Sequence, residues 1–324
     1  MTDPSPAPIA RPPFDPELAQ FLPAIAEALP TPILPEHIQA MRDMPLAALT
    51  PEMIDEAGLE TRDLTIEGHL GAAIEITIFQ PKGRTGTGPG FYFVHGGGMI
   101  FGNRMGGVAS TFDWLTRYDG VAVTVEYRLA PEHPDPTPVE DCYAGLLWVV
   151  EHADELGIDP SRLVVLGGSA GAGLAAGVAL LARDRQGPPL AGSLLMYPML
   201  DDRDATVSSR QFDGCGVWDR GSNHTGWNAL LGDRRGTDDV SIYAAPARAT
   251  DLGGLPPTFI DCGSAEVFRD EDVAYASAIW AAGGECELHV WPGGYHAFDG
   301  LVPQAGLSRL MVEARDNWIR RLLG

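Results

Sequence analysis

Ser169 stands at the centre of Gly167-Gly168-Ser169-Ala170-Gly171. The apolar run Leu163-Val164-Val165-Leu166 precedes this pentapeptide, and an Ala- and Gly-rich, helix-compatible segment, Ala172 to Ala182, follows it. A strand, then G-x-S-x-G, then a helix is the pattern of a nucleophile elbow, in which a sharp turn lifts the serine oxygen above the sheet edge. Small flanking residues suit the close passage of strand and helix. The hydroxyl would then lie at a helix N-terminus, where N–H groups and the positive dipole end favour a developing negative charge. The chemistry this predicts is acyl transfer.

A serine hydroxyl needs a base within hydrogen-bond reach and a carboxylate to orient that base. In an elbow fold the chain order is serine, acid, histidine. Downstream of Ser169 the histidines are His224, His289 and His296. His224 falls in an irregular stretch, and His289 lies inside a strand pattern, half-buried in a sheet. His296, in Pro292-Gly293-Gly294-Tyr295-His296-Ala297-Phe298, follows the last strand. Open α/β sheets place reactive groups at such carboxyl ends, so His296 is the expected base. Glu266, Asp270 and Glu271 are the candidate acids. Glu266 comes first beyond the strand tip at Asp261, whereas Asp270 and Glu271 read as the first turn of the next helix, where acids suit the dipole.

An oxyanion also needs donors, each worth about 2.7–4 kcal/mol in such a site. The N–H of Ala170 is one. His95-Gly96-Gly97-Gly98 follows the strand Phe91–Val94, and its glycine N–H groups supply the others.

These residues require strands and helices in alternation. Thr61–Glu67 and Ala72–Phe79 alternate and read as a hairpin. Strands follow at Phe91–Val94, Val121–Val125, Leu163–Leu166, Leu190–Tyr197, Thr258–Asp261 and Glu287–Trp291. Helical patterns intervene at Val108–Tyr118, Val139–Glu155, Ala170–Arg183 and about Asp270–Ala282, with an amphipathic helix at Gly306–Leu322. The helix at Val139–Glu155 is expected to bury Leu146, Leu147 and Val150. Such alternation predicts an α/β fold: a mostly parallel eight-stranded sheet with helices on both faces and an antiparallel opening hairpin. About 60 residues separate the strands at Leu190–Tyr197 and Thr258–Asp261, too many for a simple crossover. With the Pro-rich start, which holds short helical patterns at Pro16–Leu29 and Pro35–Met44, this stretch is expected to form a lid. The organisation predicted is a cap segment at 1–55, a core at 56–200, a cap insertion at 201–246 and a second core part at 247–324.

The chain has 324 residues, 45% hydrophobic and 20% charged, with a net charge of −22 and Lys82 as its one lysine. That acidity opposes binding to phosphate backbones or anionic lipid. No stretch approaches the ~20 apolar residues of a membrane span, and residues 1–13 lack the pattern of a secretory signal. Four widely spaced cysteines without C-x-x-C point to a reduced, cytoplasmic setting and are expected in the core. No histidine spacing suits zinc. Gly171-Ala172-Gly173-Leu174-Ala175-Ala176 fits G-x-G-x-x-A, but those glycines begin inside the helix and no acid follows to hold a ribose. No cofactor and no metal are expected.

The ordered set His95-Gly96-Gly97-Gly98-Met99, Tyr127-Arg128-Leu129-Ala130-Pro131-Glu132-His133-Pro134, Gly167–Gly171, Leu255-Pro256-Pro257, Arg269-Asp270-Glu271 and Tyr295–Phe298 resembles the bacterial hormone-sensitive-lipase-like esterases, the family IV carboxylesterases of the α/β-hydrolase fold. The likeness runs from about Glu67 to the C-terminus. It implies a serine–acid–histidine triad of Ser169, Glu266 and His296, an oxyanion hole of Gly96, Gly97, Gly98 and Ala170, and a helical cap. It further implies cofactor-free hydrolysis of short to medium acyl esters through an acyl-enzyme. Glu266 stands where the family usually has aspartate, and Gly168 where it more often has aspartate. Lactonases, amidases and acyltransferases share this machinery. Hormone receptors on the same scaffold lack the histidine that His296 supplies. A small ester is the expected partner, with a homodimer left open. Arg128, Glu132 and Asp141 are expected to brace loops beneath the site, and His95 to fix the glycine loop.

Overall fold

A computed structural model describes residues 9–44 and 49–324. Residues 1–8 and 45–48 of the expected N-terminal cap lie outside the described residues.

Eight strands form one sheet: β1 (Leu59–Glu67), β2 (Ala73–Pro81), β3 (Gly88–Val94), β4 (Val121–Val125), β5 (Ile158–Gly168), β6 (Gly192–Met196), β7 (Thr258–Gly263) and β8 (Cys286–Trp291). Their spatial order is β1-β2-β4-β3-β5-β6-β7-β8. β1 pairs antiparallel with β2, and β2 antiparallel with β4; every later pairing is parallel. The central strands β3 to β7 are near-continuous apolar runs because helices cover both of their faces. Those helices are α1 (Phe112–Tyr118), α2 (Thr137–Glu151), α3 (Ala170–Asp184), α5 (Arg269–Ala281) and α6 (Gly306–Leu323), while α4 (Arg220–Leu231) belongs to the stretch between β6 and β7. Two apolar cores result, one on each side of the sheet.

Helix α3 occupies the most crowded place. Every residue from Ala170 to Ala182 is buried, which is why the sequence there holds little but Ala, Gly and Leu. A Cβ at Gly171 would overlap the carbonyl oxygens of Val94 and His95. The glycine therefore lets the helix start directly against the end of β3.

Helix α2 differs from expectation in length and face. It stops at Glu151, and a separate turn, Ala153–Leu156, follows. Its buried stripe is Val139, Cys142, Leu146 and Val149, and Leu147 is 41% exposed. A helix advances about 100° per residue, which sets Leu147 well round the helix from the middle of the Val139–Cys142–Leu146–Val149 stripe. Two cysteines also depart from expectation: Cys142 and Cys262 are buried, but Cys215 and Cys286 are only partly so. No helix among the described residues is long and apolar enough to cross a membrane.

The long stretch between β6 and β7 carries a short helix, Val207–Gln211, and then α4. The Asp219 side chain caps α4 by accepting the Ser222 N–H at 2.8 Å. N-terminal residues reach this stretch directly. The Ile33 N–H donates to Ser222 Oγ at 2.8 Å, and Phe14 lies 6.1 Å from Phe212, ring to ring.

Candidate active site

Ser169 joins the end of β5 to the start of α3 with φ +58° and ψ −123°. A non-glycine residue enters that region only when its surroundings hold it there. Here the Ser169 N–H donates to the Met196 carbonyl at 2.9 Å, and its own carbonyl accepts from Ala172, Gly173 and Met199. The residue is 9% exposed.

His296 lies in the loop after β8, and its Nε2 stands 2.9 Å from Ser169 Oγ. Its Nδ1 is 2.6 Å from Glu266 Oε2. The other carboxylate oxygen accepts the Gly263 N–H at 2.5 Å. His296 and Glu266 are both buried. The loops carrying them are tied together: the Ala265 N–H donates to the Gly294 carbonyl, the Ser264 N–H to the Trp291 carbonyl, and the Gly293 N–H to Ser264 Oγ. Three residues widely separated in sequence thus form one continuous hydrogen-bonded line.

The other candidates go elsewhere. Asp270 pairs with Arg269 and accepts the Ser208 N–H. Glu271 accepts the N–H groups of Leu200 and Asp201. His224 pairs with Asp204 at 2.6 Å, and His289 with Glu287 at 2.9 Å.

The glycine loop follows β3 and passes beside the elbow, where the Cβ of Ser169 would lie 3.4 Å from one built on Gly96. Gly97 and Gly98 have φ of +109° and +61°, a backbone path that L side chains resist. The Gly97 carbonyl is tied off by the N–H groups of Ile100 and Phe101, both at 3.0 Å. The N–H groups of Gly96, Gly97, Gly98 and Ala170 donate to no acceptor among the described residues. Unpaired backbone donors of this kind can receive an anionic oxygen where they converge.

His95 is buried and stacks on Tyr127, centroids 4.2 Å apart. Its Nδ1 lies 2.8 Å from the Gly96 carbonyl, and Tyr127 Oη donates to the His95 carbonyl. Burial lowers its pKa from the ordinary value, which favours a neutral ring that fixes the loop. Beneath it, buried Asp141 accepts from Arg128 Nε and Nη2, both at 2.8 Å, and from the N–H groups of Arg128 and His69. Glu132 grips Arg42, which also donates to the carbonyls of Ile100 and Ala130. An N-terminal residue thereby holds the far end of the glycine loop. Arg42 was not legible as a site residue, because its signal is a distant acceptor pair and not a local motif.

The insertion covers the loop. A Cβ at Gly98 would overlap the Trp218 indole. Trp218 packs on Phe101 at 6.3 Å, with its Nε1 3.4 Å from Asn223 Oδ1.

Residues 91–300 match the model of the alpha/beta hydrolase fold family. The chain is 34% identical over 316 residues to carboxylesterase NlhH of Mycobacterium tuberculosis, covering 94% of this chain and 95% of that protein. Among solved structures it is similar to a bacterial heroin esterase, with a TM-score of 0.86 at 40% identity, covering 96% of this chain and 98% of the other. A thermostable esterase from Pseudomonas putida ECU1011 superposes with a TM-score of 0.83 at 29% identity, covering 98% and 99%. By sequence and by fold alike, the chain belongs to the alpha/beta hydrolase fold family, in its hormone-sensitive-lipase-like branch of carboxylic ester hydrolases.

Proposed function

We propose that this carboxylic ester hydrolase works as a serine enzyme on short to medium acyl esters, through an acyl-enzyme. His296 Nε2 takes the Ser169 proton as Oγ attacks the ester carbonyl carbon. Glu266 holds the imidazole in the tautomer with hydrogen on Nδ1 and stabilises the imidazolium that forms. The N–H groups of Gly97, Gly98 and Ala170, with Gly96, receive the oxyanion. The imidazolium then protonates the leaving alcohol as the tetrahedral centre collapses to the acyl-serine. Water enters, gives its proton to His296 and releases the acid by the same steps in reverse. The observation that carries this reading is the unbroken line from Ser169 Oγ to Glu266 Oε2, at 2.9 Å and 2.6 Å.

The limit on acyl length rests on the roof. Trp218 and Phe101 are both at least nine-tenths buried against the glycine loop. The described residues of the N-terminal segment, 9–44 and 49–55, and residues 201–246 act in this reading as the lid over Ser169. The preferred setting is the cytoplasm, in keeping with four free thiols.

Ser169→Ala tests the whole reading. On p-nitrophenyl esters it is expected to lower kcat by up to about 10⁶-fold. Turnover within tenfold of the parent overturns the proposal. A series from acetate to longer acyl esters measures the length limit, with kcat/KM expected to fall once the chain outgrows the roof.

A further inference from the structure

The imidazole of His296 is held by more than its two hydrogen bonds. Tyr197 meets it edge to face, with centroids 5.0 Å apart and planes at 74°. Phe268 does the same at 5.1 Å and 77°. Hydrogen bonds at Nδ1 and Nε2 fix an axis through the ring but leave it free to rock about that axis. Aromatic contacts can set the plane, and such pairs have preferred geometry.

Tyr197 is held in turn. It follows β6 directly and has φ +40°, a conformation that a bulky residue keeps only when its surroundings impose it. Its N–H donates to the Asp261 carbonyl at 2.6 Å. Its ring lies 5.6 Å from the Arg315 guanidinium carbon. Arg315, on α6, is buried and makes a two-point pair with Asp261 at 2.7 Å and 3.0 Å, and a further pair with Asp299. Asp261 lies on β7, on the strand whose end clasps Glu266. Asp299 lies three residues beyond His296. One guanidinium thereby ties both flanks of the hydrogen-bonded line to a single point under Tyr197.

The mechanism above uses none of these groups. A buried arginine with two carboxylates is also a costly way to fill a core, because apolar residues of equal volume often serve stability as well or better.

We propose that Tyr197 is a positioning residue: Asp261, Asp299 and Arg315 hold its ring, and its ring with that of Phe268 sets the plane in which His296 presents Nε2 to Ser169. The inference rests on His296 being the base. Tyr197→Phe keeps the ring and is expected to stay within about twofold of the parent in both kcat and KM. Tyr197→Leu removes the ring and is expected to lose at least about tenfold in kcat, with KM within threefold, since small displacements of a catalytic group are costly. Phe268→Leu is expected to repeat that loss and carries the test if Tyr197→Leu does not fold, as judged by its thermal unfolding midpoint. A smaller loss of kcat in the leucine variants, a change confined to KM, or a Phe variant as impaired as the Leu variant overturns the inference. Ser169→Ala run alongside separates the two levels. Activity retained there overturns the serine mechanism itself, whereas activity lost there but intact in the leucine variants overturns only the role of Tyr197.

Discussion

Glu266 reaches His296 with a carboxylate that is already engaged at its other oxygen: Oε2 stands 2.6 Å from Nδ1, while Oε1 takes the Gly263 N–H. That N–H belongs to the end of the strand from which the Glu266 loop departs. The side chain folds back over its own turn, so the extra methylene relative to aspartate is absorbed without lengthening the contact.

Glu266→Gln should therefore lower kcat by about 10³–10⁴, because an amide favours the wrong imidazole tautomer. Asp270→Asn should change it less than tenfold, since Asp270 serves Arg269 and the Ser208 N–H. Steady-state kinetics of the two variants decide the matter, and the opposite ranking would move the role to Asp270.

Gly98→Ala places a methyl where the Trp218 indole lies, at a φ of +61°. The loop must shift, and its N–H with it. The expected loss is about 10²–10³ in kcat, the scale of one misplaced oxyanion donor, with little change in KM. Combining it with Trp218→Ala should recover part of the loss. Parental kcat in the single variant would mean that Gly98 contributes no donor.

Asp272 is fully buried, and neither carboxylate oxygen has a partner among the described residues. Burial, reinforced by Glu266 and Glu271, raises its pKa well above the ordinary value. A raised acid binds its proton more tightly when folded, so its contribution is fully present below the unfolded value near 4 and is lost as pH rises. Asp272→Asn removes that slope, up to about 1.4 kcal/mol per pH unit. Urea unfolding of both proteins at pH 4.5 and pH 6.5 should show the variant gaining on the parent at the higher pH. An equal difference at both values would show that Asp272 is ionised in the fold.

Asp141 gathers four donors in a buried place. Asp141→Ala leaves the His69 and Arg128 N–H groups without their acceptor and should cost about 2–4 kcal/mol in urea unfolding. Glu132→Ala breaks an exposed pair and should cost less than about 1 kcal/mol. Similar losses in the two variants would contradict the ranking by burial.

The sheet was legible because its strands are buried on both faces and read as apolar runs, and because the elbow signals itself through steric need: only small residues fit where Gly171 meets Val94 and His95. The buried face of α2 was misread at Leu147 because apolar character alone does not assign a face. Residue types and chain order were enough to select Ser169, His296 and the glycine loop, and to narrow the acid to three neighbours. Among those three, place beyond the strand tip and the family resemblance singled out Glu266, but how each backbone turns its carboxylate is a matter of tertiary structure. Tyr197, Trp218, Arg42 and Arg315 were out of reach for a related reason. Their partners are distant in sequence, and close approach between distant segments is set by packing, which no local pattern encodes.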